Sequence, residues 1–140
     1  MKKNTTFLAT AFTLMLTVNL TAQTTRYVNP TGADAGNCTD PSNACATINY
    51  TMSRAGYGDT IDIASGVYTE QLSISKDLTL QGAGDTQPGG TIIQAHASPG
   101  QASGRPVVIA NGATVQISNV LIRHGANVDY GGGIRIASGN

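Results

Sequence analysis

The sequence predicts an all-β chain wound as a parallel β-solenoid, with one short α-helix capping its N-terminal end. Three observations carry that expectation. From Asp59 onward the chain is a series of brief alternating apolar runs separated by Gly, Asn, Asp and Ser, the pattern of short strands joined by turns. Both phenylalanines, Phe7 and Phe12, lie within the first 22 residues and tryptophan is absent. A core must then be made from Ile, Val and Leu, which suits stacked aliphatic ladders better than a compact globule. Lastly, one amphipathic stretch stands immediately before the strands.

The first element is an export signal. Lys2 and Lys3 precede an apolar stretch from Phe7 to Val18 broken only by threonines, and the small residue Ala22 stands before Gln23. Residues 1–22 read as a cleaved Sec-type signal peptide. The apolar run is shorter than the roughly 20 residues that a membrane helix needs, so no transmembrane span is expected. The 118 residues that follow hold six basic side chains against eight carboxylates, a net charge of −2. With no basic patch, nucleic acid is not an expected partner.

Residues 23–58 form the second unit. Arg26, Tyr27 and Val28 make an extended start, followed by a loop rich in Gly, Asp, Asn and Pro through Asn43. Cys38 and Cys45 are the only cysteines, and an even count at short range in an exported chain predicts a disulfide across this loop. A metal site would need two further ligands. Thr47 is placed to cap a helix in which Ile48, Met52 and Ala55 share one face, and Gly56 and Gly58 end it. Such a helix covers the strand edge and core that the first coil of a solenoid would otherwise expose.

Residues 59–140 hold the coils. The apolar runs sort into two columns of strands. The first has Ile61 to Ile63, Leu78 to Leu80, Val107 to Ile109 and Val120 to Ile122; the second has Leu72 to Ile74, Thr91 to Ile93, Val115 to Ile117 and Ile134 to Ile136. The segments Gly82 to Gly90 and His96 to Arg105 lengthen one coil, as outward-bulging insertions do without disturbing strand stacking. An antiparallel sandwich also has short strands, but Asn111-Gly112 is the one tight hairpin signature in the region.

Several of these residues, in order, resemble a known family: Arg26-Tyr27-Val28, Cys38 with Cys45, Thr47-Ile48, Gly58-Asp59-Thr60-Ile61, Gly66-Val67-Tyr68-Thr69-Glu70 and Leu78-Thr79-Leu80-Gln81-Gly82. They resemble the N-terminal region of secreted bacterial right-handed parallel β-helix proteins of the pectin-lyase-like superfamily. Tyr130-Gly131-Gly132-Gly133-Ile134 is similar to the Gly-Gly-x-Ile element of polymorphic-outer-membrane-type repeats, where glycines turn the chain before a buried strand. The resemblance implies a right-handed β-helix and an exported or cell-surface address. It implies no single activity, since the superfamily holds lyases, hydrolases, esterases and proteins without catalysis.

Lyases of this kind hold calcium between outward carboxylates on neighbouring strands. Alternation puts Asp62, Thr79, Val108 and Leu121 outward in the first column and Ser73, Gln116 and Arg135 outward in the second. One carboxylate does not make a site that takes six to eight oxygen ligands, so no metal or other cofactor is expected unless further coils supply acids. The stretch Arg123-His124-Gly125 also departs from the glutamine expected of pectin methylesterases. Gly66 and Tyr68 read as a turn and a corner cover, and Glu70 as a solvated residue or a partner of Arg54 or Lys76.

No catalytic residue is assigned. The densest polar group, Arg123, His124, Asp129 and Tyr130, is the expected ligand-binding patch, because a guanidinium and an aromatic face suit polyhydroxylated or uronate ligands. His96 stands in a separate polar loop that nothing in the sequence brings to His124. No cap follows Ile136, so the chain is expected to be an N-terminal fragment whose remaining coils are its nearest partner. The expected function is a non-catalytic surface for adhesion or for polysaccharide or host cell-surface glycans. The alternative is a polysaccharide lyase, hydrolase or esterase with its catalytic residues beyond residue 140.

Thiol titration of unfolded, unreduced protein from the periplasm is expected to find no free cysteine; two reactive thiols would contradict the disulfide.

Overall fold

The computed structural model describes residues 22–86, 88–126 and 132–137. Residues 1–21 of the expected signal peptide lie outside them. Among the described residues, ten short strands and one α-helix follow in order: β1 (Thr25–Val28), α1 (Ile48–Arg54), β2 (Thr60–Ile63), β3 (Gly66–Thr69), β4 (Leu72–Ile74), β5 (Leu78–Gly82), β6 (Thr91–Gln94), β7 (Val107–Ile109), β8 (Val115–Ser118), β9 (Val120–Arg123) and β10 (Ile134–Ile136). A 3-10 turn at Pro41–Asn43 lies within the cysteine loop.

The strands make three parallel sheets, in the orders β1-β2-β5-β8, β3-β6-β9 and β4-β7-β10. The chain visits the three sheets in turn and does so three times, an arrangement compatible with a β-solenoid. This corrects the two-column reading. Leu78–Leu80 pairs with Val115–Ile117, Leu72–Ile74 with Val107–Ile109, and Thr91–Ile93 with Val120–Ile122. The strand that the sequence concealed is β3, read as a turn because Gly66-Val67-Tyr68-Thr69 has no pair of alternating aliphatics. Its one inward hydrophobe, Tyr68, is buried, and its hydroxyl donates to the Ala64 carbonyl at 3.0 Å.

Inward residues stack from layer to layer. Ile61, Ile63, Leu72, Ile74, Leu80, Ile93 and Val107 are almost wholly buried, each contributing roughly 1.5–3 kcal/mol of apolar transfer. Thr91, also buried, is tolerated because its hydroxyl donates to the Ile63 carbonyl and accepts from the Ala83 N–H, both at 2.9 Å. Gly82 sits where a Cβ would collide with the Asn119 carbonyl and with Val120 and Thr91. In the last described layer Val115, Ile117, Val120 and Ile122 are only half-buried, and Ile134 and Ile136 are 42% and 78% exposed. The strand expected to be buried after the glycine run is therefore exposed, since no described residue packs over it.

At the other end the edge is closed. The N–H groups of Tyr27 and Asn29 donate to the Cys38 and Cys45 carbonyls at 2.7 and 2.8 Å, and the Cys45 N–H returns a bond to Tyr27 at 2.9 Å. The Cys38–Cys45 disulfide holds that loop in place. On the chain-entropy account a bridge seven residues apart in sequence stabilises by about 2–3 kcal/mol.

Helix α1 is capped at both ends by the first circuit. Thr47 accepts the Tyr50 N–H. Glu70, rather than meeting Arg54 or Lys76, accepts the Ile48 and Asn49 N–H groups at 3.0 and 2.9 Å. Lys76 donates to the Met52 and Ala55 carbonyls at 3.2 and 2.7 Å, while Arg54 stacks over the Tyr50 ring. An acid at the first turn and an ammonium at the last complement the helix dipole. The apolar stripe behaves as expected, with Ile48, Met52 and Ala55 all buried.

Asp59 ties the helix to the first two strands. Its carboxylate accepts the Thr24 N–H at 2.9 Å, the Gly56 N–H at 2.8 Å and the Arg26 Nε at 3.0 Å. Burial pushes its pKa up, but the Thr24, Gly56 and Arg26 donors outweigh this and hold it below the ordinary 3.8. A lowered folded value means that the stabilisation is complete above pH 3.8 and fades as pH falls through the lower folded value.

Asp59→Ala takes the carboxylate from the half-buried Arg26 guanidinium, whose Nη1 keeps the Asn37 carbonyl, and leaves two N–H groups unpaired; it is expected to cost about 2–4 kcal/mol in urea unfolding at pH 7. The difference from the native chain should shrink below pH 3.8; a pH-independent difference would show that the charge is not what matters.

Candidate functional site

The sheet β3-β6-β9 places Thr69, Gln94 and Arg123 at the same register position in three successive circuits. Their side chains share a face with Val67, Ile92 and Leu121, opposite the inward Tyr68, Ile93 and Ile122. They are joined in a line: Arg123 Nε donates to Gln94 Oε1 at 2.9 Å, and Gln94 Nε2 donates to Thr69 Oγ1 at 2.9 Å. Gln94 is only 3% exposed, so it acts as a fixed bracket. It holds a guanidinium whose side chain is itself half-exposed.

The connections leaving this sheet converge on the same edge. His124 takes a left-handed backbone conformation, φ 51°, and its Nδ1 lies 3.2 Å from the His96 carbonyl. His96 in turn accepts the Ser98 N–H on Nδ1 at 3.0 Å. The Ala126 N–H donates to the Gly104 carbonyl at 2.8 Å, so residues 124–126 run beside the connection that follows β6. The histidines, expected apart, are brought together by strand stacking: β6 and β9 are neighbours, and each carries one histidine just after its end.

Arg123 and His124 of the expected patch thus stand at one sheet edge. Asp129 and Tyr130 lie outside the described residues. Thr69 and Gln94 are the members that the sequence reading missed. Their signal is the shared place at the end of a four-residue strand, visible only once Gly66–Thr69 is recognised as a strand.

Chemically the edge is a hydrogen-bonding platform. Glu70, next to Thr69, is committed to α1, and among the described residues the one ion pair is Arg26–Asp59. The Arg123 Nη groups therefore face no acid there and can donate to hydroxyl or carboxylate oxygens. Among the described residues no cluster of His, Cys, Asp or Glu is arranged to hold a metal ion. No described helix is long and apolar enough to cross a membrane. Compared with family models, curated proteins and solved structures, the chain has no significant match.

Gln94→Leu removes both bonds and leaves the Arg123 Nε and the Thr69 hydroxyl without partners. The expected loss is about 1–3 kcal/mol in urea unfolding; an unchanged midpoint would mean that water replaces the bracket.

Proposed function

We propose that this protein is an exported right-handed parallel β-helix of the pectin-lyase-like type that binds polysaccharide or cell-surface glycans for adhesion and does not itself catalyse a reaction. The observation that carries this reading is the Thr69–Gln94–Arg123 line, which spans three circuits and holds the Arg123 guanidinium one residue before His124, whose ring meets the His96 carbonyl. Such an edge offers several fixed donors and acceptors to a polyhydroxylated ligand. Among the described residues no group of carboxylates and histidines is arranged to hold a metal ion, and no hydrolytic or elimination chemistry is assigned to the edge.

Three further features support the reading. The chain begins with a signal-like pattern, Lys2 and Lys3 before Phe7 to Val18. The Cys38–Cys45 bridge belongs to oxidising compartments. Right-handed winding follows the general preference of parallel crossover connections, and three sheets visited in turn accord with the β-helix resemblance.

The test is retention of the purified chain on immobilised polysaccharides, both neutral and uronic-acid-rich. Arg123→Ala is expected to weaken retention about tenfold, the value of one charge-assisted hydrogen bond. Release of unsaturated products from pectate, with or without calcium, would overturn the non-catalytic reading.

A further inference from the structure

The sheet β1-β2-β5-β8 turns a second, different surface outward. Its register sets Thr25, Thr60, Thr79 and Gln116 in one column. Two residues further along each strand, Tyr27, Asp62, Gln81 and Ser118 form a parallel column. All eight side chains are exposed or half-exposed, and the inward positions between them include the buried Ile61 and Leu80. The face therefore has hydroxyls, amides and one phenol ring, with a single charge at Asp62. A shallow depression lined by Gln23, Asp77, Thr114, Thr79 and Gln116 borders it.

Two properties of this face select a ligand. Neighbouring strands repeat every 4.7–4.9 Å or so, close to the length that one pyranose ring adds to an extended β-1,4-linked chain. A glycan lying across the strands would meet one pair of polar side chains per sugar over all four strands. The near-absence of charge fits an uncharged polymer; a uronate chain would meet Asp62 and find no cation among the outward residues. Tyr27, in the outermost strand, has a ring of the kind that stacks on a sugar face.

We propose that the outer face of this sheet binds an extended, uncharged polysaccharide chain laid along the stacking direction of the strands. The inference shares with the proposed function the premise that the protein binds glycans, but it uses a different sheet and a different ligand class from the Arg123 edge.

The full chain would be tested for retention on microcrystalline cellulose and for binding of soluble cellohexaose, with polygalacturonate as the acidic comparison. Retention on cellulose is expected, and the combined change Thr79→Val, Gln81→Ala and Gln116→Ala should weaken it by at least about tenfold, the loss of a few hydrogen bonds. Ser73→Ala, on another sheet, should leave it unchanged. Circular dichroism and the urea midpoint would establish that the combined variant folds; should it not, Gln81→Glu, a second acid beside Asp62 on an exposed side chain, should give the same loss. Retention that the face variants do not alter, or binding to polygalacturonate alone, overturns this inference and leaves the proposed function standing. Binding to no glycan overturns both.

Discussion

A strand in a parallel sheet has two edges, and each carries N–H and C=O groups that must find partners. In this chain that demand governs the arrangement of almost everything else. Each circuit satisfies the upper edge of the circuit before it, so β2 covers β1, β5 covers β2 and β8 covers β5. Among the described residues the first strand has no earlier circuit beneath it. Its free edge is met by the cysteine loop, where Cys38 and Cys45 supply carbonyls and an N–H in place of a strand. A loop with no apolar pattern could not hold that position by burial alone, and the disulfide keeps it there.

The same constraint explains the polar network at the base. Helix α1 closes the core beside the first circuit, but seven residues make a helix too short to be stable by itself. Glu70 and Lys76, both from the first circuit, cap its two ends, and Asp59 ties the chain after it to the strands on either side. Formation of the helix and of the first circuit are thereby linked, since each provides the other's missing partners.

Because pairing and the inward aliphatics carry the fold, the outward positions are free to serve other ends. Stacking then converts residues far apart in sequence into lines of side chains at strand spacing. Thr69, Gln94 and Arg123 become one hydrogen-bonded series, and a different character, hydroxyls and amides with Asp62 as the one charge, appears on the sheet containing Thr60 and Gln81. One scaffold thus presents two chemically distinct surfaces.

The sequence by itself determined the inward residues of the strands Ile61–Ile63, Leu72–Ile74 and Leu78–Leu80, where the helix lies, that Cys38 would meet Cys45, and which long segments stay outside the strands. These follow from local rules: alternation in strands, helical spacing, capping, and the proximity of the only two cysteines. Asp62, Ser73, Gln116 and Arg135 face outward as alternation requires. What only the tertiary structure decided is which strands are neighbours. The number of sheets depended on one strand, Gly66–Thr69, whose single inward residue is a tyrosine and whose alternation is too brief to register. Adding it moves Val107 from beside Leu78 to beside Leu72, turns Glu70 into a helix cap, and brings His96 to His124. Alternation fixes a side chain's face within its own strand, but the neighbour in the next circuit is fixed by counting strands, and that count is a property of the whole coil.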